Sequence, residues 1–144
     1  MTVSGFTNGE LNLATITAIQ GTWTPTVGGS GGGDASAYTN QLGNYYKIGD
    51  LVIASFHVTW TAGASSGNLQ IKSLPFAAAT AITNNQWQAI QIAEVSAATS
   101  SCGVEMVAGA TTHTVVKDGL TSNNAAVAWD SAGEMRATFV YLTD

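Results

Sequence analysis

The sequence predicts an all-β protein, a sandwich or jelly roll. Three observations predict it. Leu51–Trp60 alternates with a period of two: Val52, Ala54, Phe56, Val58 and Trp60 share one face, and Leu51, Ile53, Ser55, His57 and Thr59 share the other. Turn residues recur along the chain and cut it into about eight to ten short segments, at the roughly 8–12-residue spacing of sandwiches. No stretch carries a sustained helical period.

The strand in Tyr45–Trp60 organises the rest. Gly49-Asp50 precedes its alternating part and supplies turn chemistry, Gly by tolerating positive φ and Asp by bonding its own backbone. The first face is wholly apolar and is expected to be core. The second begins apolar and ends polar, so its first half is expected to lie under a second sheet or another subunit.

Upstream, residues 1–20 read as a separate piece. Leu11, Leu13 and Ile19 share one parity and Phe6 and Ile16 take the other, with Asn8-Gly9 as a turn dipeptide. The piece is either an edge strand or an arm that pairs with a neighbour. The arm reading divides the chain into 1–20 and a sandwich domain, 21–144. Trp23 and Pro25 suit a strand start or edge, where a missing donor is tolerated. The run Gly28–Gly33 lacks the Lys-Ser/Thr of a phosphate loop and reads as a mobile hairpin loop.

Ala37–Gln41 and Asn44–Ile48 read as two short strands. Asn68–Lys72 alternates again and is ended by Pro75. Ala77–Ile82 is a run of small residues that admits at most one helical turn. Trp87–Val95, Cys102–Val107, Thr112–Lys117 and Ala125–Trp129 are further strands, and Glu134–Leu142 closes the chain.

Composition narrows function. Only 9% of the 144 residues are charged, with 4 basic against 9 acidic and a net charge of −5. Phosphate backbones are bound through Lys and Arg that release counterions, so neither nucleic acid nor anionic membrane is an expected partner. The surface is solubilised by neutral polar groups or buried in an assembly. The one cysteine, Cys102, excludes an internal disulfide. The N-terminus has neither the basic nor the apolar region of a signal peptide.

Catalytic chemistry is thin. His57 and His113 have no zinc-motif spacing, Cys102 has no basic neighbourhood, and no carboxylate pair stands out. No catalytic residue, metal or cofactor is expected. Sugar binding needs an aromatic platform with amides and carboxylates around it; Tyr45, Tyr46 and Trp87 are candidates for such a platform.

Three segments carry a family resemblance: GTWTP at 21–25, NYYKIGDLVIASF at 44–56 and GNLQIKSLPF at 67–76. They resemble the β-sandwich module of tailed bacteriophages, found at the ends of tail fibres and tailspikes and as small head-decoration proteins. The resemblance covers residues 21–76 well and the remainder only by strand spacing and the closing strand. It implies a jelly roll like that of tumour necrosis factor, assembled as a homotrimer; the partly apolar second face of the organising strand, with Leu51, Ile53 and His57, is then the expected trimer interface.

Two functions are expected from it. The first is a capsid decoration (cement) protein in the virion, made in the host cytoplasm and not an enzyme. It would bind the major capsid protein through an arm bearing Phe6, Leu11, Leu13, Ile16 and Ile19. The second is the receptor-binding tip of a tail fibre or tailspike, with a host surface glycan as partner. A start at Met1 with no fibrous region ahead favours decoration. A polysaccharide-cleaving domain is remote without a carboxylate pair.

Overall fold

The computed structural model describes residues 18–81, 86–96, 102–117 and 125–144. The strands are β1 (Ala18–Trp23), β2 (Thr26–Gly29), β3 (Ala35–Ile48), β4 (Leu51–Gly63), β5 (Leu69–Lys72), β6 (Gln86–Ala93), β7 (Cys102–Met106), β8 (His113–Lys117) and β9 (Gly133–Leu142). No helix occurs among the described residues, so the protein is all-β. The strands run antiparallel in the order β1-β3-β4-β9-β6-β7-β8-β5-β2.

Strand β6 is where this sheet turns. Its first half, Gln86–Ile90, pairs with β7, and its second half, Gln91–Ala93, pairs with β9. The two arms of the sheet then face each other across one core. His113 on β8 sits edge-on to Phe139 on β9, with ring centroids 6.5 Å apart. Across the same space, the Val27 N–H on β2 donates to the Tyr38 hydroxyl on β3 at 3.1 Å. This arrangement is consistent with a β-sandwich.

Strands β3 and β4 form the hairpin that the alternation predicts. Gly49 sits at φ +57° in a two-residue turn, and Ile48 pairs with Leu51 across it. Val52, Ala54, Phe56, Val58 and Trp60 are all buried. Trp60 satisfies its indole by donating to the Asp130 carbonyl at 2.9 Å. Phe56 lies edge-on to both Trp23 (5.9 Å) and Phe139 (5.2 Å), an arrangement aromatic quadrupoles favour.

Several local expectations are corrected. The two short strands before the turn are one, β3, because Gly43 continues the ladder instead of breaking it. The Trp23 indole lies over that glycine, and a Cβ there would sit 2.5 Å from Nε1. Gly28 and Gly29 belong to β2, so the glycine run is only partly loop. Ala77–Ala79 has no regular structure, and Ala78 N–H donates to Ala110 O and Ala79 N–H to Leu142 O; a turn starts at Thr80 and Ala81, and Ile82 lies outside the described residues. Ala125–Trp129 forms isolated bridges in place of a strand: Ala128 bridges Asn68, flanked by Leu69 N–H to Val127 O and Trp129 N–H to Gly67 O. The boundary drawn between residues 20 and 21 falls inside β1.

Candidate interaction face

Register decides which side chains share the outer face of β1, β3, β4 and β9. Residues paired across strands point the same way. One row is Ala18, Ile48, Leu51 and Leu142; the next is Gln20, Tyr46, Ile53 and Val140. Then come Thr22, Asn44, Ser55 and Thr138, and after them Leu42, His57, Arg136 and Gln91. The face thus grades from apolar at the Gly49 turn to polar at the far end.

The apolar rows are exposed. Nine large hydrophobic side chains are exposed among the described residues, and six of them (Leu42, Tyr46, Ile48, Leu51, Val140 and Leu142) lie on this one face. Together they present roughly 400–600 Å² of apolar surface, toward the upper end of the largest patch a monomer ordinarily carries, a patch that is often functional.

The polar end is a connected network. Arg136 Nη2 lies 2.5 Å from Glu134 Oε1, and His57 Nε2 lies 3.5 Å from the same oxygen. His57 Nε2 is also 3.3 Å from Thr59 Oγ1, to which Asn40 Nδ2 donates at 3.3 Å. Each member stands on a neighbouring strand or two residues along, so cross-strand pairing alone assembles it.

The expected interface residues Leu51, Ile53 and His57 therefore share this face, two at its apolar end and one in the network. The sugar-platform candidates do not come together. Tyr45 has the inward parity and packs edge-on against Phe76 at 5.2 Å. Tyr46 points outward from β3, while Trp87 stands on β6, with β4 and β9 between them. With two whole strands between them, they are too far apart for one ring to stack on both. Of the arm residues, Phe6, Leu11, Leu13 and Ile16 lie outside the described residues; Ile19 is on β1, opposite Lys47, and is exposed.

Two features had no signal in the sequence. One is the Glu134–Arg136 pair, whose residues look isolated until β9 lies beside β4. The other is Gln88, whose amide bridges to β9: Nε2 donates to Val140 O at 3.1 Å, and Val140 N–H donates to Oε1 at 3.3 Å. Among the described residues no three His, Cys, Asp or Glu side chains are grouped as metal ligands. Cys102 is buried in β7. No protein-family model and no curated protein matches the chain.

Proposed function

We propose that this chain is a structural subunit of a bacteriophage particle, a capsid decoration protein that sits on the head as a homotrimer and stabilises it. The observation that carries the assembly reading is the exposed apolar end of the outer face. A stable protein interface takes about 800 Å² from each partner, a little over half of it apolar. Tyr46, Ile48, Leu51, Val140 and Leu142 supply much of that apolar share, and the neighbouring polar rows, where Leu42 lies, suit a rim. Cyclic symmetry brings three copies of one such face to a common axis. The resemblance of residues 21–76 supplies the rest: the jelly roll like that of tumour necrosis factor, the virion, and the major capsid protein as partner. In this reading the protein works by binding, without catalysis.

Light scattering at micromolar concentration tests assembly, with a trimer mass expected and a stable monomer refuting it. Ile53→Glu places a charge in the middle of the apolar rows, and is expected to yield folded monomer. Imaging of intact particles tests location. Density for this protein on the head lattice is expected. Density at a fibre tip would instead establish the receptor-binding reading.

A further inference from the structure

We infer that the groove between β6 and β9 is a binding site for a saccharide bearing a carboxylate. The groove exists because pairing between these strands stops. The ladder runs through Ala93↔Glu134, Ile92↔Met135 and Gln91↔Arg136 and goes no further. Continued, it would set Ala89 opposite Thr138. Instead the Gln88 side chain takes the N–H and C=O of Val140. Alternate residues of a strand turn their backbone groups to the same side, so Thr138, two before Val140, presents its own N–H and C=O to the gap.

The gap opens a shallow hollow of about 430 Å³, open to solvent. Phe56 and Ile90, both otherwise core residues, line it, and Ser55, Thr138, Gln91 and Arg136 supply the polar lining. An apolar patch ringed by hydroxyls, an amide and open backbone groups suits a sugar ring, whose hydroxyls donate and accept around apolar C–H faces. Arg136 is the only arginine in the chain and lines both this hollow and an adjoining one of about 150 Å³. Its side chain is half exposed. One contact goes to Glu134; a guanidinium carries five N–H donors in a fork that fits a carboxylate, so donors remain for a ligand. A single positive group beside Glu134 selects one carboxylate over a polyanion.

Titration of the full-length, ¹⁵N-labelled protein tests this, with galacturonate, galactose and acetate as probes. Galacturonate is expected to shift the amides of Gln91, Arg136 and Thr138, and to bind at least about tenfold tighter than galactose or acetate. Arg136→Gln is expected to weaken galacturonate by about tenfold or more, with Arg136→Lys recovering part of the loss. Gln91→Ala, at the exposed rim, gives a second variant whose urea midpoint is expected to stay at the wild-type value while binding weakens. Equal binding of acetate and galacturonate would reduce the site to an anion contact and overturn the inference. So would equal binding of galactose, shifts confined to residues away from the groove, or unchanged affinity in folded Arg136→Gln. None of these outcomes bears on assembly, which light scattering measures separately.

Discussion

His113 should make the protein lose stability well above the pH at which carboxylates titrate. It is fully buried on β8 against Phe139, and its Nδ1 accepts the Val107 N–H at 3.2 Å. That fixes the ring as neutral with the proton on Nε2. Burial pushes the folded-state pKa down from 6.5 to about 4, against a smaller opposite pull from the Glu105 backbone. The unfolded chain therefore binds a proton near pH 6.5 that the folded chain refuses until about 4. Above 6.5 the two states hold the same proton count at this site and nothing changes. Between 6.5 and 4 the unfolded state holds up to one more, so stability falls with falling pH by up to ~1.4 kcal/mol per unit, or about 3 kcal/mol across the window. Below about 4 this contribution levels off. Asp130, held low first by its side-chain hydrogen bond from Ser96, acts in the same direction but at lower pH: its stabilisation is present above the ordinary carboxylate pKa and fades below it. The assay is urea unfolding at one protein concentration, in half-unit steps from pH 7 to 4.5. His113→Asn keeps an acceptor for the Val107 N–H and removes the titration. Its stability should be nearly flat where wild type slopes. Equal slopes in the two proteins would refute the assignment to His113.

Other consequences are simpler. Phe56→Ala and Trp60→Ala should each cost roughly 3–5 kcal/mol, read from denaturant midpoints, because each empties a large buried aromatic site; values within about half a kcal/mol of wild type would put the core elsewhere. Gly43→Ala should cost roughly 1–3 kcal/mol, because its methyl would enter the space held by the Trp23 indole. Tyr141→Phe should cost about 1 kcal/mol, since it removes a buried hydroxyl that donates to Phe76 O at 3.0 Å. Deletion of residues 1–17 leaves β1 whole, so it should preserve a folded trimer in scattering while abolishing binding to heads that lack the native protein. Unchanged head binding would defeat the arm proposal.

The strands were legible wherever the period-two pattern was carried by large residues. Leu51–Trp60 and Glu134–Leu142 needed nothing else, since a one-residue slip would turn Phe56 or Phe139 into solvent. Strand β3 was harder. Its Gly43 reads as a break in sequence, and only the indole packed on it shows why the strand continues. Ala125–Trp129 failed the other way. Val127 is buried and Ala126 and Trp129 half-buried, which gives a strand-like pattern, but pairing reduces to isolated bridges. The polar network and the groove were not legible at all. Both depend on β9 lying between β4 and β6, and residues such as His57 and Arg136 meet only through that long-range order. Nothing local in the sequence states which strands become neighbours.

That strand order also decides which surfaces the chain protects by itself. A sheet end is a template for pairing unless something covers it. The β2 end is covered within the chain: Tyr38 meets Val27 through its hydroxyl, and Gln41 donates to Pro25 O at 3.0 Å. At the other end, no described residue pairs with the outer side of β1, and the chain there leads into residues 1–17. Beside β1 lies the exposed apolar end of the outer face. Charge is the usual guard for such surfaces, yet this chain has four basic residues. Lys47 donates to Gly49 O, Lys72 is paired with Asp34 at 2.6 Å, and Arg136 is held by Glu134. None of these three stands guard over β1. An edge that no described residue covers, continuous with an apolar face, is more useful to a subunit than to a solitary protein, and that difference is the physical basis for proposing assembly.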